Sequence, residues 1–369
     1  MKTLIVTNYY LPGIKGGGPV NSIKNIVESV KGNFDILTKS KDVGESQNYK
    51  NININKWNII GENKIFYLNS FPLIRIYKIL KKEKYDVIYL NSLFATLSIY
   101  VCFLTIFSKT KIILAPRGEL NQNALSLKKF KKRIFKFLIK YYIKFRKVLF
   151  HATSKSEEKD IKDNFDVEVK TISNLPSKRP GNINVPYKEE KYLKIICVAR
   201  ISKMKNIHYA ICRLKAIKQG NVIFDIYGTN EDDEYKKYCE NISLNSNIKV
   251  NFKGNTPKEI LNTKYKEYNL FFLPTLGENF GHSIIEAIQN HIPVLISDNT
   301  PWRELEDKKV GFNYSLNNEE YFESCLMNLI DMNDEQYKNN FTGFESFIKT
   351  ELKTEENIKK YYELLVSKT

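Results

Sequence analysis

Short apolar runs alternate with longer amphipathic stretches along the first half of the chain. The amphipathic stretches are long enough for crossover helices, and this alternation is typical of a mostly parallel, doubly wound sheet. The pattern therefore predicts an α/β domain whose strands cover residues 3–7, 34–38, 64–68, 86–90, 111–115 and 148–152.

The second half of the chain repeats the same alternation. Its predicted strands cover residues 193–199, 222–228, 248–252, 270–274 and 293–297. Between the halves, residues 174–188 contain three prolines and a glycine but no apolar period, so we predict a linker there. Because 369 residues exceed the size of most single cores, we predict two domains, 1–178 and 179–352, and a final amphipathic helix within 353–369.

One uncharged segment, residues 87–108, is long enough to cross a membrane. We interpret it as a strand ending at Leu90, a break at Asn91-Ser92 and a buried helix, with a membrane span as the alternative. The apolar run at the N-terminus is too short for a signal peptide and is predicted to be a strand.

The cysteines bear on the compartment in which the protein works. There are five, at positions 102, 197, 212, 239 and 325, and no pair has the Cys-x-x-Cys spacing. This scatter disfavours a disulfide framework and a structural zinc site and is typical of a reducing compartment. We therefore expect a cytoplasmic protein.

The formal net charge of +17 indicates a polyanionic partner. Nucleic acid, an anionic membrane surface and phosphorylated substrates all fit this charge, and charge alone does not choose among them. The chain has no recognised nucleic-acid-binding module, and its basic residues occur in both halves. Nucleic acid is therefore not the predicted partner.

Residues 274–297, PTLGENFGHSIIEAIQNHIPVLIS, are predicted to form a strand end, a glycine-containing loop, a helix and the next strand. Glu278 lies in the loop and Glu286 lies eight positions later, within the helix. At about 1.5 Å of rise per residue their backbones are about 10 Å apart, too far to share a proton. The two carboxylates suit two parts of one extended ligand. The alternatives are that Glu278 caps the helix and that Glu286 is a solvated surface residue.

The helix in this segment is predicted to begin near Phe280. The backbone N–H groups of Phe280, Gly281, His282 and Ser283 would then suit an anion such as a diphosphate. Gly277 and Gly281 permit close approach of a ligand to the backbone.

A second group of candidate residues follows the strand at 193–199, in VARISKMKNIHYAI. Arg200 and Lys205 lie five positions apart in the loop that precedes a helix. An arginine fork and a lysine point charge at this position can bind a pair of phosphates. The alternative is that these are ordinary surface cations, and this is our interpretation of Lys203.

Two further segments give weaker signals. The loop at residues 16–18 is Gly-Gly-Gly between a strand and a helix predicted from about Val20, so its amides could approach phosphates. It does not have the G-x-G-x-x-G spacing. Residues 231–234, EDDE, are interpreted as the polar start of a helix, with metal ligation as the alternative. No metal site is predicted.

Together these motifs resemble those of the retaining glycosyltransferases of the GT-B fold, family four. GENFGHSIIE matches the E-x7-E element of that family, and VARISKMKN resembles its R-x4-K loop. The triple-glycine loop is similar to one in the family's N-terminal domain, and IYGTNEDD corresponds to its glycine loop after the second strand of domain two. APRGELNQNALSLKKFKKR and HATSKSEEKDI are similar to the subgroup that builds bacterial surface polysaccharides.

The resemblance implies a role for each candidate in the second domain. Arg200 and Lys205 would neutralise the donor diphosphate. Glu278 would bind hydroxyl groups of the donor sugar, and Glu286 would bind the ribose of the nucleotide.

The resemblance also implies two Rossmann-like domains facing across a cleft, with Gly17 and Gly18 closing over the donor and Gly228 in the donor loop. The C-terminal helix would return to the first domain. The chain departs from many relatives at one position, because APRG offers Arg117 where they have a histidine near the reacting sugar. Arg117 is therefore a candidate contact to donor or acceptor.

Residues 127–150 contain ten Lys and Arg interspersed with Phe, Ile, Leu and Tyr. Apolar residues recur near helical spacing at 127, 130, 134, 137, 138, 141 and 145, which predicts one apolar and one cationic face. One interpretation is a helix whose apolar face packs on its own domain. The other is a helix at the surface of an anionic membrane, where Lys128, Lys129, Lys131 and Lys132 would contribute to binding.

The predicted reaction is transfer of a sugar, with retention, from a nucleoside-diphosphate donor to a hydroxyl of a lipid-linked glycan in lipopolysaccharide or capsule synthesis. No metal or cofactor besides the donor is expected, and the protein would lie peripherally at the inner face of the plasma membrane. The alternatives are a sugar-nucleotide epimerase of the same fold and a nucleic-acid-binding protein.

Overall fold

The computed structural model describes residues 1–13, 15–70, 72–121, 129–179, 181 and 183–367, and only the backbone within 129–135. The chain forms two compact units. Unit 1 comprises Met1–Leu175 together with Thr354–Thr369, and unit 2 comprises Pro176–Lys353. The predicted boundary after residue 178 lies three residues from the observed one, and the C-terminal segment belongs to unit 1.

Unit 1 contains an eight-stranded sheet in the order β3-β4-β2-β1-β5-β6-β7-β8. The strands are β1 (Lys2–Thr7), β2 (Asn33–Lys39), β3 (Trp57–Ile60), β4 (Asn63–Leu68), β5 (Val87–Asn91), β6 (Lys111–Ala115), β7 (Val148–Ala152) and β8 (Val169–Thr171). All neighbours are parallel except β3, which is antiparallel to β4. The sequence predicted six of these strands. It missed the edge strands β3 and β8, whose side chains are mostly half-buried or exposed and therefore give little apolar signal.

Helices cover both faces of the unit 1 sheet. On one face lie α1 (Gly18–Ser29) and α13 (Thr354–Leu365). On the other face lie α2 (Pro72–Glu83), α3 (Thr96–Leu104), α4 (Lys129–Phe145) and α5 (Lys155–Asn164). Because both faces are covered, central strands such as β1 are apolar at successive positions rather than alternating.

The uncharged segment 87–108 forms β5, a break and α3, as predicted, with the break beginning one residue later at Ser92. Among the described residues, no helix is both long enough and apolar enough to cross a membrane.

The helix predicted in the basic stretch is α4, but its predicted apolar face is not the buried one. Phe137, Leu138, Tyr141 and Phe145 are exposed, whereas Ile139 and Tyr142 are buried. The interpretation that the predicted apolar face packs on the domain is therefore wrong for these four residues. Residues 127 and 128, and the side chains of Lys129, Lys131 and Lys132, lie outside the described part of the chain.

Unit 2 contains a parallel six-stranded sheet in the order β11-β10-β9-β12-β13-β14. The strands are β9 (Tyr192–Val198), β10 (Asn221–Tyr227), β11 (Ile248–Gly254), β12 (Leu270–Leu273), β13 (Val294–Ser297) and β14 (Gly311–Tyr314). The helices are α6 (Ile207–Lys215), α7 (Asp233–Glu240), α8 (Lys258–Lys264), α9 (His282–Gln289), α10 (Glu319–Asp331), α11 (Asp334–Asn340) and α12 (Phe344–Thr350). Only β14, a short edge strand, was not predicted.

Candidate functional site

The strand order of unit 2 reverses between β9 and β12, because the chain proceeds outward from β9 through β10 and β11 and then starts again at β12. Ligands of open parallel sheets bind beyond the carboxyl ends of the strands at such a reversal. The loop after β9 contains Arg200 and Lys205, and the loop after β12 contains Glu278. The fold therefore brings the two strongest sequence motifs to one edge of the sheet.

Backbone and side-chain hydrogen bonds tie these two loops together. The Leu276 N–H donates to the carbonyl of Met204 at 2.9 Å, and the Thr275 hydroxyl donates to the same carbonyl at 3.1 Å. Met204 lies in the 3-10 turn Lys203–Lys205. These bonds therefore hold the loop that contains Arg200 and Lys205 against the loop that contains Glu278.

Lys205 and Glu278 form an ion pair in this region. Their side chains are only 12% and 17% exposed, so the charges are partly removed from water and held in one geometry. The Glu278 N–H also donates to the Asn299 carbonyl at 3.0 Å. Lys205 is less exposed than is usual for a lysine, and its role as a site residue stays a prediction.

Arg200 lies at the start of the same loop but is more exposed, with 44% of its side chain accessible. Its guanidinium contacts the Glu231 carboxylate at 2.5 Å.

Asp232 accepts a hydrogen bond from the Tyr235 N–H and caps α7, which confirms the predicted helix start in this acidic run. Within the described ranges, no cluster of His, Cys, Asp and Glu could hold a metal ion.

Gly228 holds the end of β10 close to the loop that contains Arg200. Its φ is +153°, and a Cβ at this position would lie 1.9 Å from the carbonyl oxygen of Ala199. Only glycine fits such an approach of two backbones. The position therefore fixes the path of the chain between β9 and Arg200.

The helix α9 begins at His282, two residues after the predicted start, and its N-cap is Gly281. Glu278 therefore does not cap the helix, and that alternative is wrong. The N–H groups of Ile284 and Ile285 donate to the Gly281 carbonyl and close the first turn. Phe280 has a buried side chain packed on Trp302, whose indole N–H donates to the Phe280 carbonyl at 2.6 Å.

Ser283 and Glu286 lie on α9, both half-buried. The Glu286 carboxylate pairs with Lys258 and accepts a hydrogen bond of 3.3 Å from Ser177. The interpretation of Glu286 as a solvated surface residue is therefore wrong. Sequence reasoning missed Lys258 and Ser177, because their separations from Glu286 along the chain gave no signal of contact.

The triple-glycine loop of unit 1 leads into α1, which begins at Gly18, two residues before the predicted start. Gly17 is the N-cap, with φ at +61°, and a Cβ at Gly16 would lie 2.6 Å from the Val20 side chain. This loop follows β1, next to the point where the strand order of unit 1 reverses between β1 and β5.

Arg117, also in unit 1, uses each of its guanidinium nitrogens in a hydrogen bond within the domain. Nε donates to Asn91 at 2.6 Å, one terminal nitrogen to Asn174 at 2.7 Å, and the other to the Tyr89 hydroxyl at 2.9 Å. The Tyr89 hydroxyl in turn contacts Nδ1 of buried His151 at 2.7 Å. Arg117 therefore connects the strand end at Asn91 with Asn174 in the predicted linker. Sequence reasoning missed this hydrogen-bond network because its members lie on separate elements.

His151 makes the stability of this network depend on pH. Burial and the nearby Arg117 charge lower its pKa to about 3. In the unfolded chain the pKa of His151 is about 6.5, so below that pH the unfolded chain binds a proton that the folded chain does not bind. The contribution of His151 to the free energy of unfolding is therefore fully present above about pH 6.5 and declines as the pH falls towards the folded pKa.

We expect urea melts to show that His151 accounts for about 2 kcal/mol of the stability lost between about pH 7 and pH 5. The measurement is the difference in that loss between the wild type and His151→Gln, since glutamine does not titrate. An equal pH-dependent loss in the two proteins would contradict the assignment.

A family match covers much of unit 2. Residues 179–342 match the family model described as "Glycosyl transferases group 1". The matched region includes Arg200, Lys205, Gly228, Glu278 and Glu286. No curated protein sequence matches this chain significantly.

Solved structures match the whole chain at low sequence identity. Sucrose-phosphate synthase from Thermosynechococcus elongatus superposes with a TM-score of 0.74 at 13% identity, covering 98% of each chain. Anabaena HepE in complex with UDP and glucose gives 0.71 at 14%, covering 100% of each. WaaG, a glycosyltransferase involved in lipopolysaccharide biosynthesis, gives 0.69 at 12%, covering 99% of this chain and 100% of WaaG. The chain has the GT-B fold, as predicted.

Proposed function

We propose that this protein is a retaining glycosyltransferase that moves a sugar from a nucleoside diphosphate to an acceptor hydroxyl. The Lys205–Glu278 pair at the strand reversal of unit 2 is the observation that supports this most strongly. It places a cation and a carboxylate side by side within the region that matches the group 1 glycosyltransferases. A diphosphate needs the cation, and a sugar with several hydroxyl groups needs the carboxylate.

The reaction breaks the bond between the anomeric carbon and the diphosphate oxygen and forms a bond from that carbon to the acceptor oxygen on the same face. Negative charge builds up on the departing phosphates as the sugar becomes cationic. Lys205 and Arg200 stabilise that charge, together with the start of α9 at Gly281, His282 and Ser283. The acceptor proton passes to an oxygen of the leaving phosphate, since the proposed site supplies no separate base.

The carboxylates position the donor rather than exchange protons. Glu278 accepts hydrogen bonds from the sugar hydroxyls, while Glu286 accepts them from the ribose. Lys258 and Ser177 hold the Glu286 carboxylate in place before the donor binds. In unit 1, Gly17 and Gly18 at the start of α1 stay candidates for backbone contacts to a phosphate.

The acceptor is proposed to be a lipid-linked glycan of a surface polysaccharide, and the protein to act peripherally at the inner face of the plasma membrane. The likeness to WaaG and the ten basic residues within 127–150 support this proposal. The identity of the sugar depends on loops outside the motifs.

A donor screen tests the proposed function. UDP-, GDP-, ADP- and dTDP-sugars are each mixed with the protein, and thermal stabilisation and release of the nucleoside diphosphate are measured. One nucleotide class is expected to stabilise the protein and to be slowly hydrolysed. If none does either, the proposal is wrong. Conversion of the donor sugar without any acceptor would instead indicate an epimerase, and the configuration of the transferred sugar tests retention.

We expect transfer to survive EDTA. The side chains of Arg200 and Lys205 place two cations at the proposed phosphate position, so a divalent ion is not required. The measurement is the transfer rate with excess chelator and after adding Mg²⁺ or Mn²⁺ back. A rate that falls with EDTA and returns with metal would contradict this and direct attention to Asp232 and Asp233.

A further inference from the structure

The outer surface of α2, α3 and α4 in unit 1 is unusually rich in exposed apolar side chains. Nine of the nineteen large apolar side chains that are exposed in the described residues lie on these helices or the turn after α3. They are Leu73, Ile74, Tyr77, Phe103, Phe107, Phe137, Leu138, Tyr141 and Phe145. All four exposed phenylalanines of the described part of the chain are among them. Exposed apolar groups concentrated on one face indicate an interaction surface.

The three helices form one continuous surface. They pack on the same face of the unit 1 sheet. Residues of α2 and of the end of α3 line a groove of about 200 Å³, with Tyr77, Lys81 and Lys84 on the α2 side. The turn after α3 meets α4 through a 2.9 Å hydrogen bond between Thr105 and Tyr142. We call this surface, residues 72–84, 96–110 and 129–147, the basic aromatic face.

Three strongly exposed phenylalanine rings lie where α3 and α4 end. Phe107 is 96% exposed, Phe145 is 74% exposed and Phe103 is 70% exposed. On α4, Phe137, Tyr141 and Phe145 follow one another at four-residue spacing on the side opposite buried Ile139. These rings therefore make up a second apolar stripe that the core of unit 1 does not use.

The charge of this surface identifies the chemistry of its partner. The three segments contain fifteen Lys and Arg and one Glu, so they account for fourteen of the seventeen net positive charges of the chain. Eleven of these fifteen cations lie at positions whose side chains the structure describes. Basic residues occur throughout the sequence, but acidic residues largely offset them elsewhere. The single acid, Glu83, is paired with Lys2.

We propose that the basic aromatic face docks on a lipid bilayer that contains anionic lipids. Phe103, Phe107 and Phe145 enter the boundary between head groups and acyl chains, while Lys81, Lys84 and neighbouring cations contact lipid phosphates. A bilayer with anionic lipids offers both an apolar interior for the phenylalanine rings and negative phosphates for the lysines. A nucleic acid or a rigid acidic protein surface offers the negative charge without an equal apolar volume. The inference rests on the peripheral location put forward with the proposed function and names the surface responsible for it. It is independent of the proposed reaction, because docking requires neither donor nor acceptor.

Vesicle sedimentation tests this surface. The full-length protein is mixed with vesicles of phosphatidylcholine alone or with phosphatidylglycerol, at low and high NaCl. Phe103→Ser/Phe107→Ser and Lys81→Gln/Lys84→Gln/Lys109→Gln are compared with the wild type. Binding is expected only with phosphatidylglycerol. The phenylalanine variant is expected to bind about tenfold more weakly than the wild type, and the triple lysine variant about a hundredfold more weakly.

Unit 2 offers matched controls. Lys215→Gln/Lys218→Gln/Lys237→Gln removes the same charge from exposed positions there, and Tyr238→Ser/Tyr321→Ser removes two exposed rings. Both controls are expected to bind vesicles like the wild type. If the charge control weakens binding as much as the Lys81 variant does, only net charge attracts the protein, and the assignment of this face is overturned.

Insertion and specificity are measured separately. Phe107→Trp is expected to give fluorescence that brominated lipids quench, while Phe107→Trp in the Lys81→Gln/Lys84→Gln/Lys109→Gln background is quenched less. No quenching in either protein would overturn insertion.

Binding to a single-stranded oligonucleotide tests the choice of partner. The lipid assignment is overturned in favour of nucleic acid if the protein binds the oligonucleotide more tightly than vesicles and if this binding is lost in the lysine variant but kept in Phe103→Ser/Phe107→Ser. Unchanged donor hydrolysis in these variants separates this test from that of the proposed function.

Discussion

Replacing Lys205 with alanine is expected to lower the rate of sugar transfer by about 10²–10³ while the protein stays folded. The Lys205 ammonium is held on the loop after β9 by the 3-10 turn and is only 12% exposed. In the proposed reaction it faces the charge that develops on the departing diphosphate. Loss of such an interaction costs about 2.7–4 kcal/mol in the transition state.

The measurement is kcat with saturating donor, together with a thermal melt of each variant. Lys203→Ala is the matched control, because Lys203 lies in the same turn but is exposed, and it is expected to keep its rate. Arg200→Ala is expected to lose less than Lys205→Ala, since the Arg200 side chain is more exposed to solvent screening.

Glu278→Gln separates a catalytic from a structural role of the pair. If the pair only stabilises the loops, Lys205→Ala and Glu278→Gln will lower the melting temperature alike and leave kcat unchanged. A Lys205→Ala enzyme that keeps most of its rate would remove this residue from the mechanism. Lys205→Arg, which retains the charge, is expected to recover part of the activity.

Gly228→Ala is expected to destabilise unit 2 by about 3 kcal/mol or more, and to abolish donor binding with it. The new Cβ would overlap the Ala199 carbonyl oxygen, 1.9 Å away, and the backbone would remain at φ +153°. Relief requires β9 or β10 to move at the position from which Arg200 extends. Urea melts monitored by circular dichroism measure the loss.

Two other glycines separate the overlap from the backbone strain. Gly254 has φ at +73° with open space around it, so Gly254→Ala is expected to cost only about 1–2 kcal/mol, from backbone conformation alone. Gly277→Ala meets no neighbouring atom and is expected to be nearly neutral for stability. If Gly228→Ala is no worse than Gly254→Ala, the close approach to Ala199 does not limit stability.

Much of the fold followed from local patterns. Eleven predicted strands coincide with observed strands to within one or two residues, because a strand buried on both faces needs a continuous apolar run. The strands that were missed, β3, β8 and β14, lie at sheet edges or are short, and their partly exposed side chains lack this run. Two helix starts differ by two residues from the prediction: α1 begins earlier, at Gly18, and α9 later, at His282, each after a glycine N-cap.

The sequence by itself determined which residues are candidates for the site, because a motif such as Arg200-x4-Lys205 or Glu278-x7-Glu286 is a local spacing. Only the tertiary structure decided their partners. Lys205 and Glu278 are separated by 73 positions, and Arg117 reaches Asn174 across 57. Such contacts depend on strand order, which no local period encodes.

The same distinction explains α4. Its period predicted a helix with an apolar stripe, and the helix is present. A period fixes which residues share a face, but the choice of the buried face depends on the surface that the helix meets. Ile139 and Tyr142 fit the core of unit 1, so the aromatic stripe at Phe137, Tyr141 and Phe145 was left outside.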